Sequence, residues 1–226
     1  MTFIQLRTLD FLPAPFFVVT EGMGDATFVD RLLQFKKITN FSVGCPSRDS
    51  SKGTGKDAFP DYFLAIQTAR MRGASVPLRG LLVVADANGN PPKSFTTVAK
   101  ALEEAGFPKC AAAYEINESG GFRAAVYLMP QKGETGTLEH ILLRAVFKKS
   151  AGLEKCLNEF SACTGGLRSA KPNQHAKMRM SALAAAFCED NPWCSSNTMW
   201  SDPNNPVPID SDVFDPFSQF LIDFSK

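Results

Sequence analysis

Residues 15–33, PFFVVTEGMGDATFVDRLL, run an apolar strand-like segment (16–20) into Glu21, Gly22, Gly24 and Asp25. A helical pattern follows, with Phe28, Val29, Leu32 and Leu33 on one face. A buried strand feeding directly into a helix is the opening of a β-α-β unit, and it leaves both carboxylates at the C-terminal edge of a sheet. Open α/β folds build their ligand sites at that edge.

The rest of the chain repeats the alternation. Strand-like runs recur at ITNFSV (38–43), LRGLLVVAD (78–86) and RAAVYLMP (123–130), rich in the Val, Ile, Leu and Phe of buried strands. Between them Phe59, Phe63 and Ile66, then Phe95, Val98, Ala99 and Leu102, repeat at helical spacing. This order predicts an α/β protein with a mainly parallel sheet flanked by helices and joined by right-handed crossovers, with AYEI (113–116) and 123–130 as a closing pair of strands. After Pro130 the pattern turns helical: Leu138, Ile141, Leu142, Ala145 and Val146 mark one amphipathic helix, and further helices are expected near 153–161, 175–188 and 215–224. The expected division is an α/β core over 1–135 and a helical C-terminal extension over 136–226 packed on the same core. The turn-rich stretch 188–212 reads as a long loop.

Composition excludes several classes. With 226 residues and 44% hydrophobic content the chain can bury a full core. Lys and Arg number 24 against 23 acids, so no global attraction to nucleic acid exists and any such binding rests on a local patch. No apolar run approaches the roughly 20 residues of a membrane span. The six cysteines form no C-x-x-C pair, and no basic stretch followed by an apolar signal core opens the chain, so reduced thiols and a cytoplasmic location are expected. Cys188 and Cys194 flank EDNPW, but no histidine lies near them to complete a zinc site.

The loop GCPSRDSSKGTGKDAFPD (44–61) contains G-T-G-K, yet it is no phosphate loop: Asp57 follows Lys56 where Ser or Thr is required, and the first glycine of the motif is missing. It reads as a surface loop whose Arg48, Lys52 and Lys56 are candidates to touch a nucleic-acid backbone.

A second acid ends another strand. In LLVVADANGNPP, Asp86 stands at the tip of the strand and Asn88 two residues on. Adjacent parallel strands lie about 5 Å apart, so Glu21 and Asp86 would meet, and paired hard oxygens there suit Mg²⁺ or Mn²⁺. A strand-E-G-x-x-[DE] segment followed by a strand-D-x-D segment resembles the Toprim fold shared by topoisomerases, bacterial primases and the overcoming-lysogenization-defect nucleases. The chain looks most like small stand-alone Toprim-like proteins of uncharacterised function, which carry VTEGMGDATFV, LLVVADANGNP, ALEEAGFP, YLMPQKGETGTLEHILL and KMRMSAL in similar order, a resemblance covering residues 15–225.

That resemblance implies roles. Glu21 becomes a metal ligand and general acid or base, Asp25 the second acidic position and Asp86 the first aspartate of D-x-D. Glu139 matches a third acidic position of the nuclease branch, and Lys177, in HAKMRMSAL, its active-site lysine. Asn88 departs from the pattern: an amide there removes one negative charge while keeping one oxygen able to coordinate. The implied activity is Mg²⁺- or Mn²⁺-dependent cleavage of phosphodiester bonds in DNA or RNA. Phage defence with an ABC-type ATPase partner is implied by the resemblance alone. The rival reading is a non-catalytic Toprim-like binding or regulatory subunit, with Asn88 as a mark of decay and Phe214, Phe217, Phe220 and Phe224 docking a partner; the plainer role of those four rings is to close the core. Glu21 and Asp25 have a plainer role as helix-capping acids, Asp86 as a turn residue, Glu139 as a first-turn acid and Lys177 as part of a solvated basic face. His140 and His175 read as surface or supporting residues.

Overall fold

The computed structural model describes residues 14–46, 55–73, 77–164, 171–188, 191 and 198–226. Among these residues five strands form one sheet: β1 (Phe16–Thr20), β2 (Phe41–Gly44), β3 (Gly80–Asp86), β4 (Asn117–Ser119) and β5 (Phe122–Met129), in the order β2-β1-β3-β5-β4. All pairings are parallel except β4 with β5. The closing strand pair thus involves 117–119 rather than 113–116. Tyr114 instead adopts φ 66° and donates its hydroxyl to Leu128 O, which places it over the sheet end rather than in a strand.

Among the described residues, seven helices surround the sheet: α1 (Met23–Phe35), α2 (Phe59–Met71), α3 (Pro91–Glu104), α4 (Leu138–Lys149), α5 (Ala151–Thr164), α6 (Pro172–Phe187) and α7 (Asp215–Phe224). The period of two along each strand divides the core. Phe16, Val18, Leu82, Val84, Ala125 and Tyr127 face α1, α4, α6 and α7, whereas Phe17, Val19, Leu81, Val83, Ala124 and Val126 face α2 and α3. Both sheet faces are covered, which is why the strands read as unbroken apolar runs rather than alternating ones.

Chain order gives the sheet a reversal. From β1 the chain passes through α1 on one face to β2, then through α2 on the other face to β3, which returns to the opposite side of β1. The C-terminal ends of β1 and β3 therefore flank a topological switch point, the crevice where helices diverge to either face and leave room for a ligand. Glu21 and Asp86 stand at those two ends.

Among the described residues of the stretch 188–212, Met199 and Trp200 are buried in a 3₁₀ turn (Met199–Ser201), with the indole 5.7 Å from the Phe28 ring. The C-terminal phenylalanines close the core. Phe214, Phe217 and Phe224 are buried, and Phe220 packs against them. Phe224 lies 5.7 Å from Phe16 and 6.3 Å from Phe41, over Gly80, where an added Cβ would come within 3.0 Å of the ring. Phe214, Phe217 and Phe224 are therefore committed to the core. No helix among the described residues is long and apolar enough to cross a membrane.

Truncating such a ring should be costly. Phe224→Ala is expected to destabilise the protein by about 3–5 kcal/mol. Phe160→Ala, at a ring 56% exposed on α5, should stay within about 0.5 kcal/mol of wild type. Urea denaturation followed by circular dichroism checks both; equal effects would place Phe224 outside the core.

Candidate functional site

The site assembles where β1 and β3 end. Thr20 pairs with Val84, so Glu21 leaves β1 level with the last residues of β3. Glu21 Oε1 accepts the backbone N–H of Asp86 at 2.7 Å, tying the two tips together. Asp86 passes the connection on: its Oδ1 accepts the N–H of Leu138 at 3.0 Å, satisfying an amide in the first turn of α4 that has no partner within the helix. Glu139, next along, takes a 2.6 Å hydrogen bond from Thr137 Oγ1 through its Oε2. Asp25 sits in the first turn of α1, its carboxylate receiving a backbone hydrogen bond from Gly22.

These four carboxylates share one field. Asp25 is pushed up to about 7, first by burial, then by the charges of Glu21 and Glu139. Asp86 is pushed well above the usual carboxylate range by burial, then by Asp25, Glu21 and Glu139. Burial and like charge act in the same direction here, and neither is offset by enough positive charge. Lys177, exposed on α6, is close enough to act on Asp25 in the opposite sense. Its direction follows from helix geometry. Asn173, one turn earlier on the same face, donates from Nδ2 to Asn88 Oδ1 at 2.9 Å and docks the start of α6 over the end of β3.

Asn88 holds this corner in shape. Its φ is 53°, a left-handed conformation that Asn tolerates better than most residues. Its backbone exchanges hydrogen bonds with Gly136 (2.6 and 2.8 Å), and its Nδ2 donates to Asp86 O at 3.3 Å. The oxygen that a cation would use is thus engaged by Asn173. His140 plays the supporting part: its Nδ1 accepts the N–H of Thr137 at 3.1 Å, and burial lowers its pKa, so the neutral ring braces the turn before α4. Gly136, at φ 133°, lies against that ring, where a Cβ would come within 2.9 Å of Nδ1.

Lys56 departs from its expected place. Rather than reaching out from a surface loop, its side chain is 15% exposed and its ammonium stands 3.3 Å from Glu21 Oε1. It also donates to Asp86 O and, at 2.9 Å, to Ser94 Oγ. The physical reason is position: Lys56 lies between β2 and α2, in a loop that emerges at the same sheet edge as the acids, and four carboxylates attract a nearby cation. Arg48, Lys52 and Cys194 lie outside the described residues. Cys45, at the end of β2, is no nucleophile, since burial and then the charge of Asp25 push its thiol up to about 12.

The donor set is that of a hard cation, with carboxylate oxygens at a sheet edge and an excess of negative charge. Among the described residues, no three carboxylate, imidazole or thiol side chains are grouped tightly enough to ligate a metal ion in this arrangement. The hydrogen bonds above explain the spacing: one oxygen of Glu21, Asp86 and Glu139 is each turned to a protein donor, while the second oxygen of each takes no part in those bonds.

Charge crowding has a stability consequence whose sign is fixed. A carboxylate with a raised folded-state pKa binds its proton more tightly folded than unfolded, so stability falls as pH rises from about 4 through about 7, and the full penalty remains above that. Asp25→Asn removes the penalty. In EDTA it should raise the melting temperature at pH 8 by several degrees, with a smaller gain at pH 5; scanning calorimetry at both values checks this, and a gain independent of pH would locate the effect elsewhere.

A comparison with curated proteins and one with solved structures gave no match. Over residues 15–225 the chain matches a family described as a protein of unknown function, DUF3226. That match takes in every element from β1 to α7, and the chain belongs to the DUF3226 family.

Proposed function

We propose that the protein is a Mg²⁺- or Mn²⁺-dependent nuclease that cleaves phosphodiester bonds in DNA or RNA, built on a Toprim-like core. One observation carries this reading: Glu21, Asp25, Asp86 and Glu139, from four separate segments, act on one another at the topological switch point, with their negative charge only partly offset by Lys56 and Lys177. Holding four interacting, partly buried acids together at a ligand crevice opposes folding, which accords with selection for binding a cation rather than for stability. The order of motifs along the chain supports the Toprim assignment, and the apposed tips of β1 and β3 are the arrangement those motifs require.

In this reading Glu21, Asp25, Asp86 and Glu139 hold the cation through the carboxylate oxygens not committed to protein donors. A bound ion would supply Lewis acidity toward a water and the phosphate oxygens. Glu21 is fixed by the Asp86 N–H, so a carboxylate edge is pre-positioned to take or return a proton without reorganising. Lys177, whose charge acts on Asp25 from α6, would neutralise charge developing on the scissile phosphate. Asn88 acts from outside, joining the end of β3 to Gly136 and α6 so that Lys177 and the acids keep a common frame.

The test is degradation of plasmid, single-stranded DNA and transfer RNA by the purified protein in Mg²⁺ or Mn²⁺. Cleavage in either metal, abolished by EDTA and by Glu21→Ala, is the expected result. Lys177→Met should lower turnover at least 100-fold while leaving Mn²⁺ affinity within a few-fold of wild type, because cation binding and stabilisation of phosphate charge are separable. Mn²⁺ binding without cleavage of any substrate would favour the non-catalytic binding subunit. Absence of Mn²⁺ binding would remove the metal-dependent reading altogether.

A further inference from the structure

The ammonium of Lys56 occupies a hole made for a cation. An ammonium has three N–H donors, and here it meets three oxygens of different kinds: Glu21 Oε1 at 3.3 Å, the Asp86 carbonyl at 2.5 Å and Ser94 Oγ at 2.9 Å. Each acceptor is held by another bond. Glu21 Oε1 is fixed by the Asp86 N–H at 2.7 Å. The Asp86 carbonyl belongs to the last residue of β3, whose successor Ala87 is tied by its N–H to Met129 O at 2.8 Å. Ser94 Oγ, buried in the first turns of α3, spends its proton on Ala87 O at 2.9 Å, which turns its lone pairs toward Lys56. The hole is thus defined by one carbonyl of β3 and by two side-chain oxygens that are themselves bonded to the end of β3 and the residue after it.

A carboxylate, a carbonyl and a hydroxyl form the hard-oxygen set that Mg²⁺ or Mn²⁺ also accepts. Two-metal phosphodiester sites place their ions about 3.5–4 Å apart, bridged by shared carboxylates. Glu21 would be such a bridging group here: its Oε1 meets the ammonium, and its second oxygen lies outside these bonds. Charge balance points the same way. Four carboxylates face two ammonium groups, Lys56 and Lys177, which leaves two negative charges when all are ionised, enough for one divalent cation.

We infer that Lys56 is a tethered cation standing in the second ion position, so that the site takes a single divalent ion beside a fixed ammonium. This rests on the proposed metal-dependent reading and adds to it the number of ions and the reason for that number. The ammonium supplies one positive charge that needs no uptake from solution, and it holds Glu21 in place before the divalent ion arrives. Lys56 is a positioning residue in this scheme, acting through Glu21 and the end of β3.

Titration calorimetry with MnCl₂ alone on the full chain tests the inference without any turnover. Wild type should bind one Mn²⁺ per chain, Lys56→Ala two, and Lys56→Arg, which restores the charge, one. If Lys56→Ala does not fold by circular dichroism, Lys56→Gln removes the charge with much of the side-chain length retained and should also bind two. Two Mn²⁺ in wild type would overturn the inference, as would a single Mn²⁺ in a folded Lys56→Ala or Lys56→Gln; in both cases the metal-dependent reading would stand. No Mn²⁺ in wild type would overturn both together.

Discussion

The hydrogen bond from the Asp86 amide to the Glu21 carboxylate, 2.7 Å long, is the joint on which this molecule turns. It satisfies a backbone donor where the β1–β3 ladder runs out, and it does so with a charged acceptor, worth about 1.5–3 kcal/mol where neutral bonds contribute less. Because the amide is taken by Glu21, the Asp86 side chain is free to reach the first turn of α4, and its carbonyl is free to receive Lys56. Two strand tips, one helix start and one loop lysine are thereby registered to a single peptide unit. Removing the Glu21 carboxylate would loosen all of them together.

The core supplies what this corner consumes. Interlocked rings, Phe16 against Phe41 and Phe224 on one side of the sheet and Phe59 against Phe63 on the other, stabilise a fold that carries a destabilising cluster of acids at one edge. Such opposition between stability and charge crowding is common at functional sites, where the excess field is available to a ligand. The supporting polar residues are arranged so that few groups are left idle: Thr137, His140, Asn88 and Asn173 each hold a turn or helix start next to the acids. Asn88 illustrates the economy. A left-handed backbone, two exchanged backbone bonds and two side-chain bonds meet in one residue, which gives an amide at this position a structural purpose of its own.

Lys56 and Phe224 show how neighbouring features of a sequence can carry different weight. The glycines and lysine of the 53–56 stretch resemble a phosphate-binding motif in composition only, yet the lysine does lie at the acidic edge, because every loop that follows a parallel strand emerges on that side. The aromatic tail looks equally able to meet a partner or to close a core; its spacing of three, three and four fits a helix face, and burial of Phe214, Phe217 and Phe224 settles it for the core.

The sequence by itself determined the parallel α/β order, the strand at 16–20, the helix faces built on Phe28, Val98 and Leu142, and the placing of Glu21 and Asp86 at strand ends. Those features follow from local periodicity, which burial on both sheet faces imposes on every strand and helix. Tertiary structure alone decided that β3 returns beside β1, that Asn173 reaches Asn88, and that Lys56 turns inward to Glu21. Each of those pairs residues 35 or more positions apart, through a hydrogen bond or charge whose strength depends on a distance in space. No local pattern of residue types encodes such a distance. In the sequence the four carboxylates stand as two acidic motifs and a Glu139 matched by resemblance alone; that they act on one another was decided when the fold brought α1 and α4 to the same edge.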